Sequence, residues 1–235
     1  MSAIRLFFPQ SLSQNLSAKL TKTQSHYLTK VMRIKTGGTF SLFNKKGEWR
    51  AEIKEVSNGE VLFIVKKKIR EENMEKDIWL AFSPIKSNYF NFMIQKATEL
   101  GVNKFIPVIS DRTIVRKVNI DRLEKVIIEA SEQSNRLIVP KFEKAITLQK
   151  FLLDYEKLNI IFGNLNTRNN NLNLNKIKNK PICILIGPEG DFSEKEKNQI
   201  LKLKNLQSIK LNNNILRTET AALSALSIVN YILNL

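Results

Sequence analysis

Cysteine and histidine are almost absent: the 235-residue chain has one cysteine, Cys183, and one histidine, His26. That excludes an internal disulfide framework and any multi-cysteine or histidine-rich zinc centre, so no metal is expected. No apolar run approaches the ~18–20 residues that span a bilayer, and no membrane partner is expected. The first residues, Met1 to Pro9, lack a basic segment followed by an apolar stretch and a small-residue cleavage site. The simplest reading is a soluble protein of a reducing cytoplasm. Glycine is also scarce, at 8 residues. Lys, Asn and Ile abound, a pattern that AT-rich codon usage produces.

Positive charge is what the chain has in excess. Lys and Arg number 38 against 22 Asp and Glu, a net charge of +16. AT-rich codon usage would account for part of this, but acidic residues have not risen in step. An excess of this size predicts attraction to a polyanion, with nucleic acid the first suspect. With 43% hydrophobic and 26% charged residues the composition is that of an ordinary globular protein. The length suits one large domain or two small ones.

The pattern changes character near residue 70. Before it, short β-type runs alternate with turns: Ile4 to Phe8, Thr39 to Phe43, Trp49 to Val56 and Glu60 to Ile69. Asn58-Gly59 between two alternating runs predicts a hairpin. Thr23 to Ile34 predicts a short helix closed by Gly37-Gly38. Residues 1–70 thus predict a small β-barrel or β-sandwich domain. The charged run from Lys66-Lys67-Lys68 to Lys76 reads as a linker.

From residue 74 to 235 strands and helices alternate. Strands are predicted at Ile78 to Phe82, Lys104 to Ile109, Leu158 to Phe162, Ile182 to Ile186 and Ser208 to Leu211. Helices are predicted at Tyr89 to Leu100, Asp121 to Arg136, Ser193 to Lys204 and Thr218 to Leu233. Asp121 with Glu124, and Ser193 with Glu196, have capping-box spacing. Alternating βα units imply a parallel α/β sheet. The Asn- and Lys-rich tract from Asn164 to Lys180 has no periodicity and reads as a loop or insert.

Two segments suggest chemistry. In the first, the buried strand Ile184-Leu185-Ile186 runs into Gly187-Pro188-Glu189-Gly190-Asp191-Phe192-Ser193 and then a capped helix. Ligands of open α/β sheets bind outside the carboxyl ends of strands, where glycines let backbone N–H groups approach. A tight βα turn of purely structural purpose would look the same. The segment is neither a dinucleotide fingerprint nor a P-loop. In the second, the polar run Asn212-Asn213-Asn214 leads through Ile215-Leu216 to Arg217-Thr218-Glu219-Thr220-Ala221 at a helix start. Thr218 suits an N-cap and Glu219 the positive end of the helix dipole. Arg217 gains nothing from that dipole, which points to an anionic or substrate contact. Cys183 reads as a buried small hydrophobe, and Trp49 and Trp79 as core.

Together these segments resemble the bacterial 16S rRNA uracil-N3 methyltransferases of the SPOUT class. Lys96-Ala97-Thr98-Glu99-Leu100-Gly101-Val102 and Glu129-Ala130-Ser131-Glu132-Gln133-Ser134-Asn135-Arg136 resemble the family's middle motifs. Arg5-Leu6-Phe7-Phe8 and His26-Tyr27-Leu28, with Val31-Met32-Arg33, resemble its PUA-like RNA-binding domain. The chain departs from the pattern at Asp191, where a second glycine is usual, and at Asn212-Asn213-Asn214, where Gly-x-Arg is usual.

The resemblance implies an amino-terminal PUA-like β-barrel and a carboxy-terminal SPOUT α/β domain with a deep trefoil knot, its cofactor-binding part spanning about residues 158–235. It also implies a cytoplasmic homodimer that uses S-adenosyl-L-methionine to methylate N3 of one uridine, U1498, in 16S rRNA of the 30S subunit. Alternatives are a SPOUT methyltransferase for another RNA base and a non-catalytic RNA-binding or ribosome-assembly protein. The expected cofactor residues are Gly163, Ile186, Gly187, Pro188, Glu189, Gly190, Leu211, Asn212, Ile215, Leu216 and Thr220. Uracil N3–H is a weak acid, so a carboxylate to take its proton and an arginine near O2 or O4 are expected. Candidates are Arg217 with Glu219 or Glu189, and Arg136 with Gln133. Arg5, His26, Lys30 and Arg33 are the candidates for RNA capture.

Overall fold

The computed structural model describes residues 4–72, 75–169, 171–173 and 181–233. They form two compact units. One comprises Met1–Met74 with Ser131–Val139, the other Glu75–Ala130 with Pro140–Leu235. The first unit runs along the chain to Met74, and a short piece from the middle of the sequence, Ser131–Val139, joins it.

In the first unit, β1 (Arg5–Phe7), β2 (Ser17–Lys19), β3 (Thr39–Asn44), β4 (Gly47–Ser57) and β5 (Glu60–Glu71) form one sheet in the order β1-β3-β4-β5-β2. β1 and β3 run parallel and the other neighbours antiparallel. Among the described residues β1 and β2 do not pair, so the strand order has two ends. Alternation along β4 and β5 sends Ala51, Ile53, Val61, Phe63 and Val65 into a core with Leu6, Leu28 and Leu42. Asn58 and Gly59 turn the hairpin at φ +50° and +76°, the left-handed pair that suits strand twist.

The lysine run is a strand, not a linker: Arg50 faces Lys67, Ala51 faces Val65, and Lys66 is the extra bulged residue between them. Glu52 pairs with Lys66 at 3.0 Å, so local pairing offsets part of the charge that reads as solvated linker. The expected first helix is α1 (Lys22–His26), prolonged by a π-helical turn over Tyr27–Val31. Thr21 and Gln24 form its capping box. The helix stops at Arg33, whose φ is +54°, before the glycines expected to close it.

The second unit has β6 (Ile78–Phe82), α2 (Ser87–Glu99), β7 (Val102–Ile109), α3 (Ile120–Gln133), β8 (Lys141–Phe142), β9 (Ile146–Thr147) and α4 (Leu148–Asp154). It continues with β10 (Asn159–Gly163), β11 (Ile182–Ile186), α5 (Glu194–Ile200), β12 (Leu206–Ile209) and α6 (Thr218–Leu233). The sheet is parallel, in the order β12-β10-β11-β6-β7-β8, with β9 beside β7. β11 is buried along its whole length, which explains its unbroken apolar sequence. α6 packs on β11 and α2.

Two caps differ from expectation. The α3 N-terminus is capped by Asn119, whose Oδ1 accepts from Arg122 N at 3.0 Å, not by the Asp121–Glu124 pair. Thr218 is the first helical residue of α6, and Ala221 N donates to Arg217 O at 2.8 Å, which puts Arg217 at the N-cap position.

Candidate functional site

The carboxyl ends of β10, β11 and β12 open side by side, because these three strands are neighbours in a parallel sheet. The segments that follow them enclose a cleft of ≈ 580 Å³, counted with its open mouth. Its wall contains Gly163, Ile186, Gly187, Pro188, Glu189, Leu211, Asn212, Ile215 and Leu216, all expected from sequence. Asn164, Leu165, Asp191, Thr218 and Ala221 complete it. Asn164 and Leu165 directly follow Gly163 but sit in the Asn-rich tract, whose lack of pattern hid them; positions 170 and 174–180 of that tract lie outside the described residues.

Close approach explains two glycines. A Cβ on Gly163 would lie 2.9 Å from Ile186 Cδ1 and 3.2 Å from Leu211 Cδ1. One on Gly187 would lie 3.0 Å from the Phe192 ring. The two sequence motifs meet here: Thr218 Oγ1 donates to Gly187 O at 3.1 Å. Thr218 therefore ties the start of α6 to the loop after β11, instead of capping its own helix.

That loop is held from three sides. Ser193 and Glu196 form the expected capping box of α5. Arg112 Nη1 donates to Gly190 O at 2.7 Å, and Ser193 Oγ donates to Asp111 Oδ2 at 2.8 Å. Asp191 sits at φ +58°, the left-handed conformation in which glycine costs least. Its carboxylate compensates: Oδ1 accepts from Phe192 N at 2.7 Å and Oδ2 pairs with Lys197 at 2.8 Å. That hydrogen bond to Asp191, with Glu194 adding to it, raises the Lys197 pKa against a smaller effect of burial. The aspartate is accommodated where the resemblance leads one to expect glycine.

The other site candidates fall in different places. Gly190 is not part of the cleft wall; its Cα side faces Arg112, where a Cβ would make ordinary 3.6 Å contact. Thr220 and Glu219 line a second groove with Phe92, Leu223 and Ser224, and Leu211 lines both it and the cleft. Glu219 is buried, whereas Arg217 is exposed with its guanidinium 5.4 Å from the Tyr89 ring centre. Glu189 alone among the catalytic candidates lines the cleft. Gln133 and Arg136 belong to the segment Ser131–Val139 of the first unit, and Arg136 is buried there.

Of the residues expected to meet RNA, His26, Lys30 and Arg33 are exposed along α1 and the turn after it, with Val31 and Met32 exposed among them. Arg5 is a correction. Its side chain is only 8% exposed and its Nε pairs with Glu48 at 3.1 Å. Nη1 donates to Ser131 O and Glu132 O at 3.2 and 2.9 Å, and Nη2 to Arg136 O at 2.8 Å. The guanidinium also lies 4.3 Å over the Phe43 ring. Burial lowers its pKa and Glu48 counteracts that. Arg5 caps the end of α3, a use that a lone arginine in a strand does not announce. Cys183 is fully buried, its thiol pushed up to about 12 by desolvation, and is no nucleophile at neutral pH. Among the described residues no cluster of three or more His, Cys, Asp or Glu has the makings of a metal site, and no helix is long and apolar enough to cross a membrane.

A parallel sheet with a glycine-lined cleft at its carboxyl edge is where an α/β domain binds a ligand, and similarity to known proteins places this chain among RNA methyltransferases. The profile of the RNA methyltransferase domain matches residues 71–230, and that of the RNA methyltransferase PUA domain matches residues 20–66. The chain belongs to the ribosomal RNA small subunit methyltransferase E family. It is 35% identical to the Rickettsia conorii member over 95% of this chain and 93% of that protein. The Neisseria gonorrhoeae enzyme, crystallised with S-adenosyl methionine, superposes with a TM-score of 0.86 at 28% identity, covering 98% of each chain. A Legionella pneumophila methyltransferase with bound cofactor SAM gives the same TM-score at 26% identity and 98% coverage of each chain.

Proposed function

We propose that the protein transfers a methyl group from S-adenosyl-L-methionine to N3 of one uridine near the decoding site of 16S rRNA in the 30S subunit. The observation that carries this reading is the cleft itself, where a Cβ on Gly163 or Gly187 would crowd Ile186, Leu211 or Phe192. Apolar Ile186, Leu211, Leu216 and Ala221 with the adjoining backbone groups suit an adenine ring, and the residues present fit this cofactor. S-adenosyl-L-methionine, when bound, supplies a sulfonium-activated methyl group.

The chain's own residues then have separable tasks. Backbone groups of Ile186 to Gly190 and Leu211 to Leu216 hold and orient the nucleoside part. Glu189, on the cleft wall, accepts the uracil N3 proton on its carboxylate, and Arg217 steadies the O2 or O4 oxygen as negative charge builds there. Glu219 steadies the first turn of α6 against the helix dipole. N3 is engaged by pairing in a duplex, so the target base is received unpaired or extruded. His26, Lys30 and Arg33 belong to RNA capture.

A trefoil knot belongs to the same reading. Asn164 N donates to Ile209 O and Lys210 N to Asn169 O, so the segment after β10 runs along β12, and the chain then returns to place α6 on β11. A cytoplasmic homodimer is also proposed; Tyr89 and Phe92 of α2 and Tyr231 of α6, two helices packed on each other, are exposed large side chains that a partner copy could cover. The test is transfer of labelled methyl to 30S subunits that lack small-subunit modifications, with the modified base mapped. Label on N3 of one decoding-region uridine is expected. Label on another base would change the substrate, and no label on 30S subunits or 16S rRNA would favour a non-catalytic RNA-binding protein.

A further inference from the structure

The loop between β7 and α3, Asp111 to Asn119, is not used by the reading above, and its construction is unusual. Its base is pinned: Ser110 N donates to the Thr113 hydroxyl at 2.8 Å and Thr113 N to Ser110 O at 3.1 Å, and Thr113 is buried. One end is fastened to the cleft wall through Arg112 and Gly190 O, 2.7 Å apart, and through Asp111 and Ser193. Beyond these anchors the side chains of Ile114, Arg116 and Lys117 are exposed, Ile114 to 71%. Among the described residues neither Arg116 nor Lys117 has a carboxylate within ion-pair distance. Asp111, the loop's one acid, is already engaged by Ser193.

An anchored loop holding two uncompensated cations around a bare β-branched side chain is built to meet an anionic chain that also has apolar faces. We infer that this loop grips a single-stranded RNA segment beside the cleft, Arg116 and Lys117 on consecutive phosphates and Ile114 against a base or ribose face. The inference rests on the methyltransferase reading and extends it, placing an RNA contact on the catalytic unit in addition to the one expected on the PUA-like unit. Anchoring matters because a phosphate contact on a floating loop loses much of its gain to ordering, whereas here the base of the loop, Ser110 to Thr113, is already held. Phosphate contacts position an RNA without reading its sequence, so the loop sets register and not base identity.

The experiment is a salt titration of binding to a 16S rRNA transcript by the full-length protein and by Arg116→Gln/Lys117→Gln and Ile114→Ala variants. S-adenosylhomocysteine affinity is measured on each as a control for the cleft. The double variant is expected to bind more weakly, with the slope of log K against log salt reduced in magnitude by about 1.4, two single-strand phosphate contacts. Ile114→Ala is expected to weaken binding several-fold at unchanged slope. All three residues are exposed, so the variants fold, and Arg116→Glu/Lys117→Glu enlarges the effect if the neutral pair proves too mild. An unchanged slope in both double variants overturns the inference while leaving the methyltransferase reading intact. Failure of the unaltered protein to bind both the transcript and S-adenosylhomocysteine would instead overturn that reading.

Discussion

Single residues decide how the cleft works, and Gly163 is the sharpest case. An added methyl group at Gly163 meets Ile186 Cδ1 and Leu211 Cδ1, the far ends of two flexible side chains, so the fold has room to yield. Both of those side chains line the cleft. Gly163→Ala is therefore expected to leave thermal unfolding within a few degrees of the unaltered protein, while isothermal titration shows S-adenosylhomocysteine binding weakened at least tenfold. A variant that binds normally would mean that Ile186 and Leu211 do not bound the adenine slot. Arg5 is the opposite case, a residue of stability. Arg5→Ala leaves Glu48, 7% exposed at its side chain, without its cation and removes the guanidinium that donates to the carbonyls of Ser131, Glu132 and Arg136. Breaking a buried pair in this way costs about 3–5 kcal/mol. Urea denaturation should show that loss, and Arg5→Lys should recover only part of it, since one ammonium cannot reproduce the forked contacts.

At the scale of elements, capping links stability to the site. Ser193 begins α5, its Oγ accepting from Glu196 N at 3.3 Å while donating to Asp111. Ser193→Ala is expected to cost about 1 kcal/mol as a lost N-cap. It should also weaken cofactor binding a few-fold, because the same hydroxyl ties the cleft-wall loop to the segment after β7. Thermal melting and titration read the two effects separately. The long strands, α6 and the Ser193 capping box were legible in sequence because periodicity, turn dipeptides and capping pairs are local signals. The strands β8 and β9 were not, since two residues carry no period; β2 is the polar-edged Ser17-Ala18-Lys19, and α4 lacks the capping box that marked α5. The lysine run failed as a linker for a different reason. Charge along the outer face of a strand has the same composition as a solvated loop, and only the pairing with β4 tells them apart. Of the site, the strand-end motifs were readable, but the role of Thr218 and the burial of Arg5 depend on partners far away in sequence.

For the whole molecule, the question raised by a charge of +16 is how much of it meets RNA. The structure sorts the cations. Lys46 pairs with Glu72 and Lys150 with Asp154, so these charges are locally compensated although their side chains are 68% and 61% exposed. Lys30 and Arg33 are exposed beside Val31 and Met32 and have no ion pair among the described residues. If codon usage put lysines on the surface without regard to function, neutralising any exposed pair would change RNA binding alike. If function selected positions, only uncompensated clusters count. Lys30→Gln/Arg33→Gln is expected to lower the magnitude of the salt slope by about 1.4, and Lys46→Gln/Lys150→Gln to leave it unchanged. The unaltered protein should in turn show a slope well below the roughly 11 that sixteen single-strand phosphate contacts would give. Equal effects of the two double variants would mean that the charge acts as a diffuse field, and that capture of RNA precedes any particular docking of the PUA-like surface.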